Sequence, residues 1–137
     1  MPNNKIITLF VDGASRGNPG PASIGCSFVN EDGEEIAFIS EVIGSVTNNI
    51  AEYTALLCGL EKALADGITH IQVKADSELM VKQMKGEYKV KNEGLKNLFV
   101  QTFALSKEFK SFSIQHVRRE QNSRADELAN LALDSTI

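Results

Sequence analysis

Residues 5–12, KIITLFVD, decide how the rest of this chain is read. The segment is rich in β-branched and aromatic side chains, is long enough for a strand, and is apolar on both parities. A strand covered on one face alternates apolar with polar residues, whereas one buried on both faces does not. The segment therefore predicts a central strand with layers packed above and below it, ending on an acid, Asp12.

Working outward, residues 13–21 (GASRGNPGP) are dense in turn formers and predict no regular element. Residues 22–30 and 35–43 are two further strand candidates, separated by Asn30-Glu31-Asp32-Gly33, a hairpin signal. The opening is thus expected to be an antiparallel meander of three strands. From residue 48 to 66 the period turns helical, with Tyr53, Leu56, Leu57, Leu60 and Leu64 recurring at one helix spacing. Thr47 or Asn48 supplies the N-cap and Gly67 the stop. Residues 70–76 (HIQVKAD) read as a strand, 77–85 as a short helix, and 86–91 (GEYKVK) as a polar connector. A helix over 93–109, a strand over 112–117 and a last helix over 122–133 follow, with no repeat and no low-complexity tract. Strands reached through helices run parallel to the first by right-handed crossovers. The order predicts one α/β domain over residues 1–137, a mixed sheet with helices packed against it.

Composition sets the outer limits. With 137 residues, 42% hydrophobic and 23% charged, the chain suits a single globular core. No run of about 18 apolar residues offers a membrane span, and residues 1–5 (MPNNK) carry no signal-peptide pattern. A cytoplasmic location and no membrane partner are expected. Cys26 and Cys58 lie in apolar surroundings without a CxxC or Cys/His cluster, which predicts buried thiols. The net charge of −4 runs against the basic excess usual in proteins that bind nucleic acids. Acids gathered to hold cations, however, lower the net charge without repelling a phosphate once those cations are bound.

The acids carry the chemistry. Asp12 and Asp76 each end a predicted strand, where sites form in open α/β sheets, although an Asp there also serves as a turn former or cap. Glu52, at about 100° per residue, shares a helix surface with Ala55, Leu56, Gly59 and Ala63. Three small residues on that surface predict close helix-to-sheet packing, and a carboxylate at its border is costly unless a cation or hydrogen bonds compensate. Asp126 lies over Ala129 and Leu133 in the first turn of the last helix, where the helix dipole alone would favour it. Four converging carboxylates could not all stay ionised without cations between them. Oxygen donors with no His or Cys select Mg²⁺ or Mn²⁺. Two such ions, about 3.5–4 Å apart, would activate water and stabilise the leaving oxygen of a phosphodiester.

Four blocks share these residues: Val11-Asp12-Gly13-Ala14-Ser15 with Gly17-Asn18-Pro19-Gly20; Thr47-Asn48-Asn49-Ile50-Ala51-Glu52; Ala75-Asp76-Ser77; and Asn122-Ser123-Arg124-Ala125-Asp126-Glu127-Leu128-Ala129. In these blocks, and over nearly its whole length, the chain resembles type 1 ribonuclease H. The resemblance implies a ribonuclease H-like fold, with a five-stranded mixed sheet of three antiparallel strands and then two parallel ones, and helices on both faces. It implies that Asp12, Glu52, Asp76 and Asp126 are the catalytic acids, holding two Mg²⁺ or Mn²⁺ ions during catalysis. The implied reaction is endonucleolytic hydrolysis of the RNA strand of an RNA–DNA hybrid, leaving 5′-phosphate and 3′-hydroxyl ends. By the same resemblance Asn18, Asn48 and Asn49, the backbone around Gly13 and Ser15, and Ser77 and Arg118 would contact the hybrid. Turn formation and helix capping are the alternative roles for the asparagines. No protein partner is implied.

Two departures from the best-known bacterial pattern stand out. The flexible loop that carries a histidine before the last acid is reduced to residues 116–122 (HVRREQN), and His116 belongs to a strand by its spacing. Arg118 or Arg119 would contact phosphate in its place, or be a solvated loop residue. The basic protrusion is missing, leaving Lys82, Lys85, Tyr88, Lys89 and Lys91 as a modest backbone-binding strip or a solvated connector. Both departures imply weaker or less selective substrate binding and make double-stranded RNA a second candidate substrate. The competing readings are a catalytically weak module binding hybrid or double-stranded RNA, and a DNA-strand nuclease or transposase-like core.

Overall fold

Strand β1, Ile6–Ser15, lies in the middle of a five-stranded sheet of order β3-β2-β1-β4-β5 in a computed structural model that describes residues 5–135. The other strands are β2 Gly20–Val29, β3 Glu35–Val46, β4 His70–Ala75 and β5 Ser111–His116. Helices α1 Asn48–Ala65, α2 Glu78–Met84, α3 Glu93–Ser106 and α4 Ser123–Asp134 complete the order, with a 3-10 turn at Arg119–Asn122 before α4. The reading of residues 1–4 as free of a signal pattern lies outside the described residues. No helix among the described residues is long and apolar enough to cross a membrane.

The meander reads as expected: β1 pairs antiparallel with β2, and β2 with β3. Its second turn is fixed by Asn30, whose Oδ1 accepts from the N–H groups of Asp32 and Glu34 at 3.0 and 2.9 Å. Strand β4 lies parallel to β1, and β5 parallel to β4. Ile7, Leu9 and Val11 are buried on one face of β1. A Cβ at Gly59 of α1 would stand 2.9 Å from the Leu9 side chain, which puts α1 on that face. Asp12 has the opposite parity and pairs with Gly25, where a Cβ would meet the Ala125 carbonyl oxygen of α4 at 2.1 Å. Helices therefore cover both faces, as the doubly apolar opening strand requires. On the α1 side, buried Tyr53 donates to Gln83 Oε1 at 2.6 Å and meets the Phe99 ring edge-on at 6.4 Å, tying α2 and α3 to α1. Cys26 is buried and Cys58 half-buried, both as free thiols.

One expectation is corrected. Residues 13–21 are not irregular throughout: Gly13, Ala14 and Ser15 extend β1, pairing with Ile24, Ser23 and Ala22. Strand β4 ends at Ala75, opposite Val11, so beyond that point the sheet continues through β1, β2 and β3 alone. The ladder satisfies the backbone there, and turn chemistry is confined to residues 16–19, closed by the Arg16 N–H donating to the Pro21 carbonyl at 2.8 Å. Asp12 accordingly sits within β1, not at its end. Elsewhere the observed ends of strands and helices depart from the expected ones by up to three residues: β3 runs on to Val46 and α3 stops at Ser106.

Candidate metal centre

Glycine brings the first two acids together. A Cβ at Gly13 would lie 2.2 Å from the Ala51 carbonyl carbon and 2.4 Å from the Glu52 nitrogen, so only glycine lets β1 touch the first turn of α1. The start of α1 is set by Thr47, whose Oγ1 accepts from Ile50 N–H at 3.3 Å. Asp76 arrives from the other side: the Val11–Ala75 register places it beside Asp12, and Ser77 then caps α2 by accepting from Met80 N–H at 3.3 Å. One carboxylate oxygen from each of Asp12, Glu52 and Asp76 lies within 4.8 Å of the other two. Asp126, in the first turn of α4, is within hydrogen-bonding reach of Asp12. All four predicted acids are thus gathered, three in one group and the fourth joined through Asp12.

The electrostatics follow from this crowding. Asp12 is only 8% exposed. Burial, then the charge of Asp76, then the hydrogen bond and charge of Asp126 and the charge of Glu52 push its pKa from 3.8 up to about 8. Burial and the charge of Asp76 raise Glu52 from 4.5 to about 7, against the opposing pull of the Ser77 hydroxyl and the Arg119 charge. Alone, such a cluster must keep protons near neutral pH. A divalent cation would replace them, and a close set of carboxylate oxygens without nitrogen or sulfur suits a hard ion with oxygen preference.

The remaining predicted residues divide by what they touch. Asn48 donates from Nδ2 to Glu52 Oε1 at 3.0 Å, orienting that carboxylate, while its backbone N–H donates to Asn18 Oδ1 at 3.1 Å. The β1–β2 loop is thereby tied to the start of α1. Asn49 is exposed beside them. The Ser15 hydroxyl is committed to the protein, its one proton shared between the carbonyls of Gly17 and Val46. Ser77, besides capping α2, lies near enough to Glu52 for its hydroxyl to pull that carboxyl's pKa down. Arg118 is exposed, and its neighbour Arg119 is the arginine whose charge reaches Glu52. His116 is exposed at the end of β5. In the connector Lys85, Lys89 and Lys91 are exposed, and the Lys82 ammonium lies 5.0 Å from the Tyr88 ring centroid.

Three residues that shape the site were given no role from the sequence, although Asn122 and Arg124 fall in the last of the four blocks. Gly25 admits the backbone of α4 to the sheet opposite Asp12. Asn122, buried, donates from Nδ2 to the Val11 carbonyl at 2.8 Å. Arg124 binds both carboxylate oxygens of Glu35 on β3, at 2.9 and 3.0 Å, and Glu35 also accepts from the Ser27 hydroxyl at 2.6 Å. A glycine inside an apolar strand was the available signal for Gly25. The other two depend on partners far off in the chain.

Comparison with known proteins agrees with this geometry. Residues 10–132 match the family described as Reverse transcriptase-like. The bifunctional protein Rv2228c of Mycobacterium tuberculosis is 42% identical over 130 residues, which cover 94% of this chain and 36% of that protein. This chain thus spans about a third of the length of the mycobacterial relatives it matches. The crystal structure of RNase H1 from the halophilic archaeon Halobacterium salinarum superimposes with a TM-score of 0.93 at 43% identity, covering 96% of this chain and 99% of that one. LC11-RNase H1, solved in complex with an RNA/DNA hybrid, gives a TM-score of 0.89 at 41% identity over 94% of this chain and 97% of that one. With its strand order, its acidic cluster and these likenesses pointing one way, the chain belongs to the type 1 ribonuclease H family.

Proposed function

We propose that this chain is an endonuclease that hydrolyses the RNA strand of RNA–DNA hybrids, with Asp12, Glu52, Asp76 and Asp126 holding two divalent cations, Mg²⁺ or Mn²⁺. The observation that carries this reading is the convergence of carboxylate oxygens within 4.8 Å, with Asp12 and Glu52 pushed up to about 8 and 7 by burial and mutual repulsion. When bound, the cations supply Lewis-acid activation of water and neutralise charge on the phosphate.

The chain's own part is placement. Asp12, the most enclosed of the four and in touch with the other three, is the common ligand. Glu52 is held in orientation by Asn48. Asp76 and Asp126 close the site from β4 and α4. Hydrolysis joins a water oxygen to phosphorus and breaks the bond to the 3′ oxygen, which leaves as a hydroxyl while the phosphate stays on the 5′ end. Asn18, Asn48, Asn49 and the backbone of Gly13 and Ser15, with Ser77 and Arg118, form the surface that receives the substrate. Selection of the RNA strand rests on its 2′-hydroxyls, which both donate and accept where DNA offers nothing.

The test is a panel of labelled RNA–DNA hybrid, double-stranded RNA and duplex DNA, each with Mg²⁺, Mn²⁺ or a chelator. Metal-dependent cutting of the RNA strand of the hybrid is expected. A folded protein that leaves the hybrid intact in both metals, or cuts it in chelator, would overturn the reading. Cutting of double-stranded RNA would widen the substrate range.

A further inference from the structure

Asn122 occupies the N-cap position of α4 but does not cap it: its side chain makes no bond to the helix. It is 1% exposed, and its Nδ2 donates instead to the carbonyl of Val11, the residue before Asp12. Its Oδ1 is sealed from solvent and has no partner among the described residues. For stability alone this is a poor use of asparagine. The side chain forgoes the helix N–H it is suited to accept from, and it buries an unmatched oxygen, which costs folding free energy. A shape-matched apolar residue would avoid the second cost.

What the side chain provides instead is a link between two acids from opposite ends of the chain. Val117 N–H donates to the Ala75 carbonyl at 2.9 Å, and the segment then crosses from the end of β4 to β1 through the 3-10 turn that Asn122 closes. The start of α4 is fixed on three strands. Arg124 reaches Glu35 on β3, Gly25 of β2 admits the backbone of Ala125, and Asn122 holds Val11 on β1. Of these three contacts, the last is the one made to the strand that carries Asp12. Because β4 ends opposite Val11, that carbonyl stands where the sheet gives way to the site.

We propose that Asn122 is a positioning residue of the metal centre: through its bond to Val11 it sets Asp126 against Asp12, so that both can serve the same cations. The proposal rests on the reading of the four acids as a cation site. Asn122 acts through β1 and α4, and its loss lowers cation affinity and turnover without altering the surface that receives the substrate.

The experiment is calorimetric titration of Mn²⁺ alone into the full chain, for the wild type, Asn122→Leu, Asn122→Ala and Asp76→Asn, with steady-state cleavage of hybrid measured beside it. Leu keeps the branching at Cγ, fills the space that Ala leaves empty and removes the unmatched oxygen, so this variant folds even where Ala is loosened. Mn²⁺ affinity is expected to fall about 10–100-fold in both Asn122 variants, as it does when residues that orient metal ligands are removed elsewhere. The turnover number is expected to fall while KM for hybrid stays unchanged. Wild-type Mn²⁺ affinity and turnover in a folded Asn122→Leu protein, with only the melting temperature altered, would overturn the positioning role and leave the cation site standing. Equal Mn²⁺ binding by the wild type and Asp76→Asn would overturn both.

Discussion

Replacing Gly25 by alanine puts a methyl group where the structure has no room. Its Cβ would lie 2.1 Å from the Ala125 carbonyl oxygen and 2.6 Å from the Ala129 nitrogen. Both obstacles are helix backbone, so no side chain can turn aside. Restoring ordinary contact requires α4 to retreat by about 1.3 Å, and Asp126 rides on its first turn. Overpacking of this kind costs about 1–3 kcal/mol of stability. A displacement of about 1 Å in a reacting constellation costs about 100-fold in rate. Gly33→Ala is the control: it has nothing within 4 Å, and its φ of +82° makes alanine strained by about 1 kcal/mol. Thermal melts and cleavage of labelled hybrid should show both variants less stable and only Gly25→Ala about 100-fold slower. A folded Gly25→Ala protein that cleaves at the wild-type rate would refute the claim that the close approach of α4 serves the site.

Asp76 makes the largest charge contribution to the raised pKa values of both Asp12 and Glu52. Asp76→Asn should therefore abolish cleavage, keep the fold, and bring both carboxyls down toward their ordinary range in a carboxyl NMR titration; unchanged titration would contradict the proposed coupling. The metal-free protein should lose stability as pH rises. Asp12 and Glu52 titrate at about 8 and 7 in the fold against 3.8 and 4.5 ordinarily, so between these limits the folded state keeps protons that the unfolded chain releases. Melts in chelator should show the higher melting temperature at pH 5 than at pH 8.5, and added Mg²⁺ should raise it more at pH 8.5; a flat profile would count against the cluster. Glu35→Gln weakens a partly exposed ion pair and should cost no more than about 1 kcal/mol in denaturant titration; a larger loss would make this pair a main support of α4 docking.

Much of this site was legible because it follows local rules. The doubly apolar run before Asp12 announced a central strand, and the small residues around Glu52 announced a helix pressed against it. The acids could be set on their elements one at a time, and their meeting rested on family resemblance. What stayed hidden depends on partners remote in sequence. The extension of β1 beyond Val11 was masked because its residues are turn formers, and only pairing with β2 across the hairpin makes Gly13–Ser15 a strand. Asn122 reads only as the first residue of the last helix until its bond to Val11 is seen. The arginine pair was read for phosphate contact; that the charge of Arg119, the first residue of the 3-10 turn, reaches Glu52 could not be read from the sequence.

The four acids come from β1, α1, the end of β4 and α4, and they meet only after parallel pairing of β1 with β4 and docking of the last described helix. Such long-range contacts form late in folding. A cation therefore finds no foothold on the unfolded chain, and it cannot nucleate this fold as zinc does in a small finger. Metal capture becomes a late event of assembly. A metal-sensitive probe mixed with refolding protein would time the meeting of β1, α1 and β4 at the acids.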